Sequence, residues 1–182
     1  MATIDLPDHI LNTLSTVLQQ LQQSLPEVKT VPDFSAYAYK WQDGQLKPIH
    51  KLRAIQLADL KGIEKQKEKV IQNTLQFLNN LPANDVLLTG SRGTGKSSIV
   101  RALLTEYADQ GLRLIEIERD DLSDLSEIQK LIADRPERFI VYCDDLAFNA
   151  EDENYRSLKS VLDGSLQSGS TNFIIYATSN RR

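Results

Sequence analysis

Between an apolar run, Val86–Thr89 "VLLT", and a helical pattern that begins at Lys96 lies "GSRGTGKS", residues 90–97. Its glycines, lysine and closing serine fall on the spacing G-x-x-x-x-G-K-[ST], which works only as a turn from a strand into a helix. No other feature restricts the fold as strongly. Gly90, Gly93 and Gly95 reach positive backbone dihedrals at no steric cost and, lacking a β-carbon, let main-chain N–H groups curl around an anion. The helix that follows turns its unbonded N–H groups and positive dipole end to the same point. Lys96 adds a compact cation for β- and γ-phosphates, and Ser97 a hydroxyl ligand for magnesium. The expected ligand is a nucleoside triphosphate, held by Gly90, Ser91, Arg92, Gly93, Thr94, Gly95, Lys96, Ser97 and Ser98.

The rest of the chain suits a strand–helix fold. Leu112–Glu118, Phe139–Asp144 and Asn172–Thr178 read as further strands, and Val86–Thr89 as a buried one. Helical patterns alternate with them over Lys96–Ala108, around Leu125, Ile128, Leu131 and Ile132, and over Tyr155–Leu162. Continuous apolar strands alternating with helices predict an α/β fold with a parallel sheet covered on both faces. Upstream, Ile63, Val70, Ile71, Leu75, Phe77, Leu78 and Leu81 describe a helix over 63–80 that Pro82 ends. "FSAYAYKWQDGQLKPI" alternates around Asp43-Gly44 and predicts a small hairpin over 35–50, with Pro48 marking its second strand as an edge. Ile10, Leu11, Leu14, Val17, Leu18, Leu21 and Leu25 predict an amphipathic helix over 8–24 whose apolar face packs on this chain or on a partner. The expected division is an extension at 1–55 and a phosphate-binding core at 56–182.

Composition narrows the function classes. A formal net charge of -4 over 182 residues gives no basic footprint for direct nucleic-acid binding. The single Cys143 with only His9 and His50 provides no zinc cluster and suits a reducing cytosol. No apolar run approaches the ~18 residues of a membrane span, and residues 1–20 lack the basic start and apolar centre of a secretory signal. The expected location is cytoplasmic.

Two polar strand ends complete the candidate site. "FIVYCDD" closes an apolar strand with two carboxylates, and a bound cation is the simplest compensation for charge placed there. Asp144 is the expected metal-side group and Asp145 the group that polarises an attacking water, with helix capping or a loop role as the alternative for each. "YATSNRR" places Asn180 at the carboxyl edge of the sheet, where open α/β sheets bind ligands, although "SN" equally suits an ordinary turn.

In their order and spacing, "LLTGSRGTGKSS", "RFIVYCDDL" and "IIYATSNRR" resemble the AAA+ ATPases. The run from "AYAYKWQDGQLKPI" to the phosphate loop is similar to an uncharacterised bacterial family of single-module AAA+ ATPases. The resemblance implies a core of strand order 5-1-4-3-2 in which the "YATSN" strand separates the phosphate-loop strand from the acidic one. It also makes Asn180 a γ-phosphate sensor and sets Gly62 and Ile63 of "DLKGI" against adenine. Three departures accompany it. Aspartate stands at 145 where many relatives carry glutamate, no fifth strand or helical lid follows the sensor-like motif, and Arg181 and Arg182 do not match an arginine finger. Without a lid, turnover by residues 1–182 alone is expected to be weak.

The expected function is an ATP-binding module that couples magnesium-dependent hydrolysis to a change in a protein partner or homo-oligomer. The alternative is an ATP-dependent binding switch with little hydrolysis. A GTPase is disfavoured because no asparagine is followed by lysine, so N-K-x-D is absent.

Overall fold

The computed structural model of the chain describes residues 7, 10, 12–17, 32–146 and 172–180. Two compact units are present, Met1–Val31 and Pro32–Arg182. In the first, residues 12–17 are helical, and Thr16 Oγ1 donates to the carbonyl of Asn12 at 2.9 Å. Ile10, Leu14 and Val17 of the expected apolar stripe are exposed. The remainder of the helix expected over 8–24 lies outside the described residues.

The second unit is built on six strands: β1 Ala38–Gln42, β2 Gln45–Ile49, β3 Val86–Thr89, β4 Leu112–Ile117, β5 Arg138–Cys143 and β6 Phe173–Ser179. Their order is β2-β1-β4-β5-β6-β3, and every pairing except β1 with β2 is parallel. The principal helices are α1 Glu64–Leu78, α2 Lys96–Tyr107 and α3 Leu125–Ile132. Alternate residues of the strands feed two cores. Ile115, Ile117, Phe139, Val141, Phe173 and Ile175 meet Leu125, Ile128 and Ile132 of α3 on one face. Leu114, Ile140, Tyr142, Ile174 and Tyr176 meet Val70 and Phe77 of α1 and Ile99, Val100 and Leu103 of α2 on the other. Both faces are covered, which is why the central strands read as unbroken apolar runs.

Counted from the phosphate-loop strand, the core order is β3-β6-β5-β4, so the "YATSN" strand lies between the phosphate-loop strand and the acidic strand. The order matches the expectation, and β3 is outermost among the described strands, as an order of 5-1-4-3-2 without a fifth strand requires. Val86–Thr89, expected to be buried, is therefore half-covered, and Leu87 is 58% exposed. At the opposite edge stands the hairpin. Asp43 and Gly44 turn at φ 53° and 70°, both in the left-handed region that a tight two-residue hairpin requires. Pro48 lies on the outer strand, as its missing N–H demands.

The hairpin is not an appendage. β1 pairs with β4, and Tyr39 and Trp41 are fully buried, Trp41 Nε1 donating to Asp124 Oδ2 at 2.9 Å. Residues 32–55 thus belong with the core, and the division expected at 55/56 falls within one compact unit. The helix expected over Tyr155–Leu162 lies outside the described residues. Among those described, no helix is long and apolar enough to cross a membrane.

Candidate functional site

Three strand ends meet at the carboxyl edge of the sheet. Register sets Leu88 opposite Thr178 and Thr89 opposite Ser179 on one side of β6, and Cys143 opposite Ala177 on the other. The residues just past β3, β5 and β6 therefore converge, and a cavity of 420 Å³ opens among them. Arg92, Gly93, Gly95, Lys96, Ser97 and Ser98 line it from the loop, Asp144 and Asp145 from β5, and Asn180 from β6.

The loop has the geometry that its glycines permit. Gly90, Gly93 and Gly95 have φ of 148°, 83° and 85°, and Gly95 leads directly into α2. Gly90 N–H donates to Ser179 O at 3.2 Å, pinning the loop to β6, and Thr94 Oγ1 donates to Ser91 O at 2.8 Å. Lys96 Nζ donates to Gly90 O, Ser91 O and Asn180 Oδ1 at 2.8, 2.9 and 2.9 Å. Asn180 Nδ2 in turn donates to Asp145 Oδ1 at 2.7 Å. A single amide thus joins the loop lysine to the second carboxylate.

Asp144 is held differently. Its Oδ1 accepts from Tyr142 OH at 2.8 Å, Ser97 Oγ at 3.0 Å and Asp145 N–H at 3.2 Å, and from Thr178 Oγ1. Burial pushes the acid's pKa up, but the bonds from Thr178, Tyr142 and Ser97 outweigh it and hold the carboxyl below its ordinary value. Asp144 is therefore an anion at neutral pH. With Ser97 it forms an all-oxygen pair of donors, the type that hard divalent cations take. Among the described residues, no cluster of three or more His, Cys, Asp or Glu side chains offers a metal cage of protein groups alone. The adjacent Cys143 thiol is fully buried and pushed up to about 12 by burial, which suits a packing role.

Asp145 stands in the left-handed region at φ 53°. Its N–H also donates to Thr178 Oγ1 at 2.9 Å, and Leu146 N–H donates to Thr178 O at 2.6 Å. Thr178 thereby anchors the turn after β5 to β6.

The two base-side candidates lie apart from the cavity wall. Gly62, at φ 78°, donates its N–H to Glu64 Oε1 at 2.9 Å. Ile63 Cδ1 lies 3.5 Å from where a β-carbon on Gly95 would sit, so Ile63 flanks the loop without lining the cavity. Arg181 and Arg182 lie outside the described residues.

Sequence reasoning did not single out Tyr142. It reads as one more apolar strand residue, yet a residue two before Asp144 shares its face of the strand, and that period was the available signal.

The fold and site define a class, an α/β core with a glycine-rich strand-to-helix loop at the carboxyl edge of a mostly parallel sheet, in the strand order that the resemblance to the AAA+ ATPases implies. More particularly, residues 34–182 match the family described as "Protein of unknown function (DUF815)", and the chain belongs to it. Among solved structures, AMPPCP-bound DnaA from Aquifex aeolicus is 21% identical over 66% of this chain and 39% of its own, with a TM-score of 0.45. A structure addressing katanin self-assembly is 19% identical over 70% of this chain and 47% of its own, with a TM-score of 0.49. The chain spans less than half the length of either. No curated protein gives a significant match.

Proposed function

We propose that this chain is an ATP-binding module whose hydrolysis of ATP, with magnesium, drives a conformational change in a protein partner or in a homo-oligomer. One observation carries the reading: Lys96, Ser97, Asp144, Asp145 and Asn180, drawn from three separate strand ends, line one 420 Å³ cavity at the phosphate loop. An anion cradle, a pair of oxygen donors and a second carboxylate are what phosphoryl transfer to water requires, since its catalysis is almost wholly positioning and charge stabilisation.

In this reading, the loop amides between Gly90 and Ser98 and the Lys96 ammonium bind the phosphates. Ser97 and Asp144 hold magnesium, which when bound neutralises charge on the phosphate oxygens. Asp145 polarises the attacking water and draws off its proton as oxygen bonds to the γ-phosphorus and the bond to the β-phosphate oxygen breaks, releasing ADP. Asn180, already hydrogen-bonded to both Lys96 and Asp145, sets the water's position between them. Gly62 and Ile63 border the base.

Substitution separates the roles. Lys96→Ala is expected to lose triphosphate binding by at least tenfold in calorimetry, on the scale of one charge-assisted contact of ~1.5–3 kcal/mol. Asp145→Asn is expected to retain ATP and slow single-turnover hydrolysis by ~10²–10⁴. Equal affinity of Lys96→Ala and the parent would overturn the site. A parent that binds ATP and turns over no faster than Asp145→Asn would favour the second reading, a nucleotide-dependent binding switch.

A further inference from the structure

We propose that Tyr142 and Thr178 are specificity-determining residues for the divalent cation, restricting Asp144 to one-oxygen coordination and so selecting a small octahedral ion over calcium. The inference rests on the reading above, in which Ser97 and Asp144 hold the metal that accompanies ATP.

Tyr142, Ser97, Thr178 and the Asp145 N–H all donate to the same atom, Oδ1 of Asp144. An ionised carboxylate offers about four lone-pair sites divided between two oxygens, so four donors exhaust what Oδ1 can accept. Coordination, whether direct or through water, is left to Oδ2. Calcium takes six to eight oxygens and uses both oxygens of a carboxylate readily, whereas magnesium requires near-octahedral geometry and keeps several waters. An Asp144 with one oxygen withdrawn fits the second ion and penalises the first.

The constraint is rigid because its donors are. Tyr142 and Thr178 are 2% and 1% exposed. The Tyr142 ring is packed in the core that α1 and α2 share with the sheet. Thr178 Oγ1 accepts the Asp145 N–H at 2.9 Å, which leaves its own hydrogen to be given to Asp144. Ser97 is different in kind: its hydrogen goes to Asp144, so its oxygen lone pairs stay available to the ion. Tyr142 and Thr178 touch neither nucleotide nor ion in this scheme and act through Asp144. Outer-shell partners of this sort commonly alter metal affinity by ~10–100-fold.

The test is calorimetric titration of a non-hydrolysable ATP analogue into the full chain with magnesium or with calcium. The parent, Tyr142→Phe, Thr178→Val, the double variant, Thr178→Ser and Lys96→Ala are compared after circular dichroism has matched their folds. The parent is expected to bind the magnesium form more tightly, and the calcium-to-magnesium ratio of Kd to fall about tenfold in the double variant. Thr178→Ser keeps the hydroxyl and is expected to keep the parent ratio. An unchanged ratio in the double variant, or an equal loss with both metals, would overturn the proposal, as would a parent indifferent to the ion. Discrimination lost equally in Thr178→Ser would do so too. If the parent binds no better than Lys96→Ala with either metal, the nucleotide reading itself fails, an outcome distinct from an unchanged ratio.

Discussion

At Asp145 the backbone constrains the side chain. A φ of 53° suits aspartate or asparagine, whose short polar groups tolerate the left-handed region, better than the glutamate that the resemblance to the AAA+ ATPases leads one to expect there. The same turn gives Asp145 N–H two acceptors, and the carboxylate reaches Asn180 at 2.7 Å in spite of its shorter stem. The departure seen in the sequence thus has a local steric reason. The cost of that region is testable away from the site at Gly111, which ends the turn after α2 at φ 95° and has nothing within 4 Å of an added β-carbon. Gly111→Ala is expected to destabilise the protein by ~1–2 kcal/mol, purely through conformation. Thermal unfolding should register a fall of roughly 2–8 °C. No change in Tm would show that the turn relaxes.

Among elements, the hairpin and β3 exchange the roles that their sequences suggest. "AYKWQ" and "QLKPI" read as an appended ribbon because their alternation and turn are local signals, whereas the β1–β4 pairing joins residues more than seventy positions apart. Trp41 carries that attachment: it is fully buried, packs beside α3, and donates to Asp124 at the start of the helix. Trp41→Ala is expected to cost ~3–5 kcal/mol by urea unfolding. Trp41→Phe, which keeps most of the packing, should cost nearer ~1–3 kcal/mol, chiefly for the lost hydrogen bond and the stranded carboxylate. Equal effects would mean that the hydrogen bond, not the packing, holds the hairpin. β3 errs in the other direction. "VLLT" is apolar enough for the interior, but it is outermost among the described strands, as the order that the resemblance implies, without its fifth strand, already requires.

For the whole molecule, the carboxylates at the site and in the turn before β5 couple stability to pH. Asp144 and Glu137 are both held below their ordinary values. At Asp144, burial is outweighed by bonds from Thr178, Tyr142 and Ser97; at Glu137, burial is outweighed by the bonds that Arg135 and the backbone provide. A folded pKa depressed below the unfolded one contributes stability above the unfolded value, and that contribution disappears as pH falls through the folded value. Denaturant midpoints are therefore expected to hold steady near neutrality and fall below about pH 4. In Asp144→Asn the acid limb should be shallower. An unchanged limb would assign the acid sensitivity to other groups.

By itself the sequence determined the phosphate loop, the two carboxylates and the alternation of strand and helix. Each is a local pattern: glycine spacing sets a turn, and apolar period sets an element. The neighbours of each strand were decided only in three dimensions. The β3-β6-β5 order brings Thr178 beside Asp144 and Asn180 between Lys96 and Asp145. Tyr142 shows the same division within one strand, its ring legible as core and its hydroxyl meaningful only once Ser97 and Thr178 share its acceptor. Hydrogen bonds across distant segments depend on how the sheet pairs, and pairing is set by the packing of both faces together rather than by any one stretch of residues.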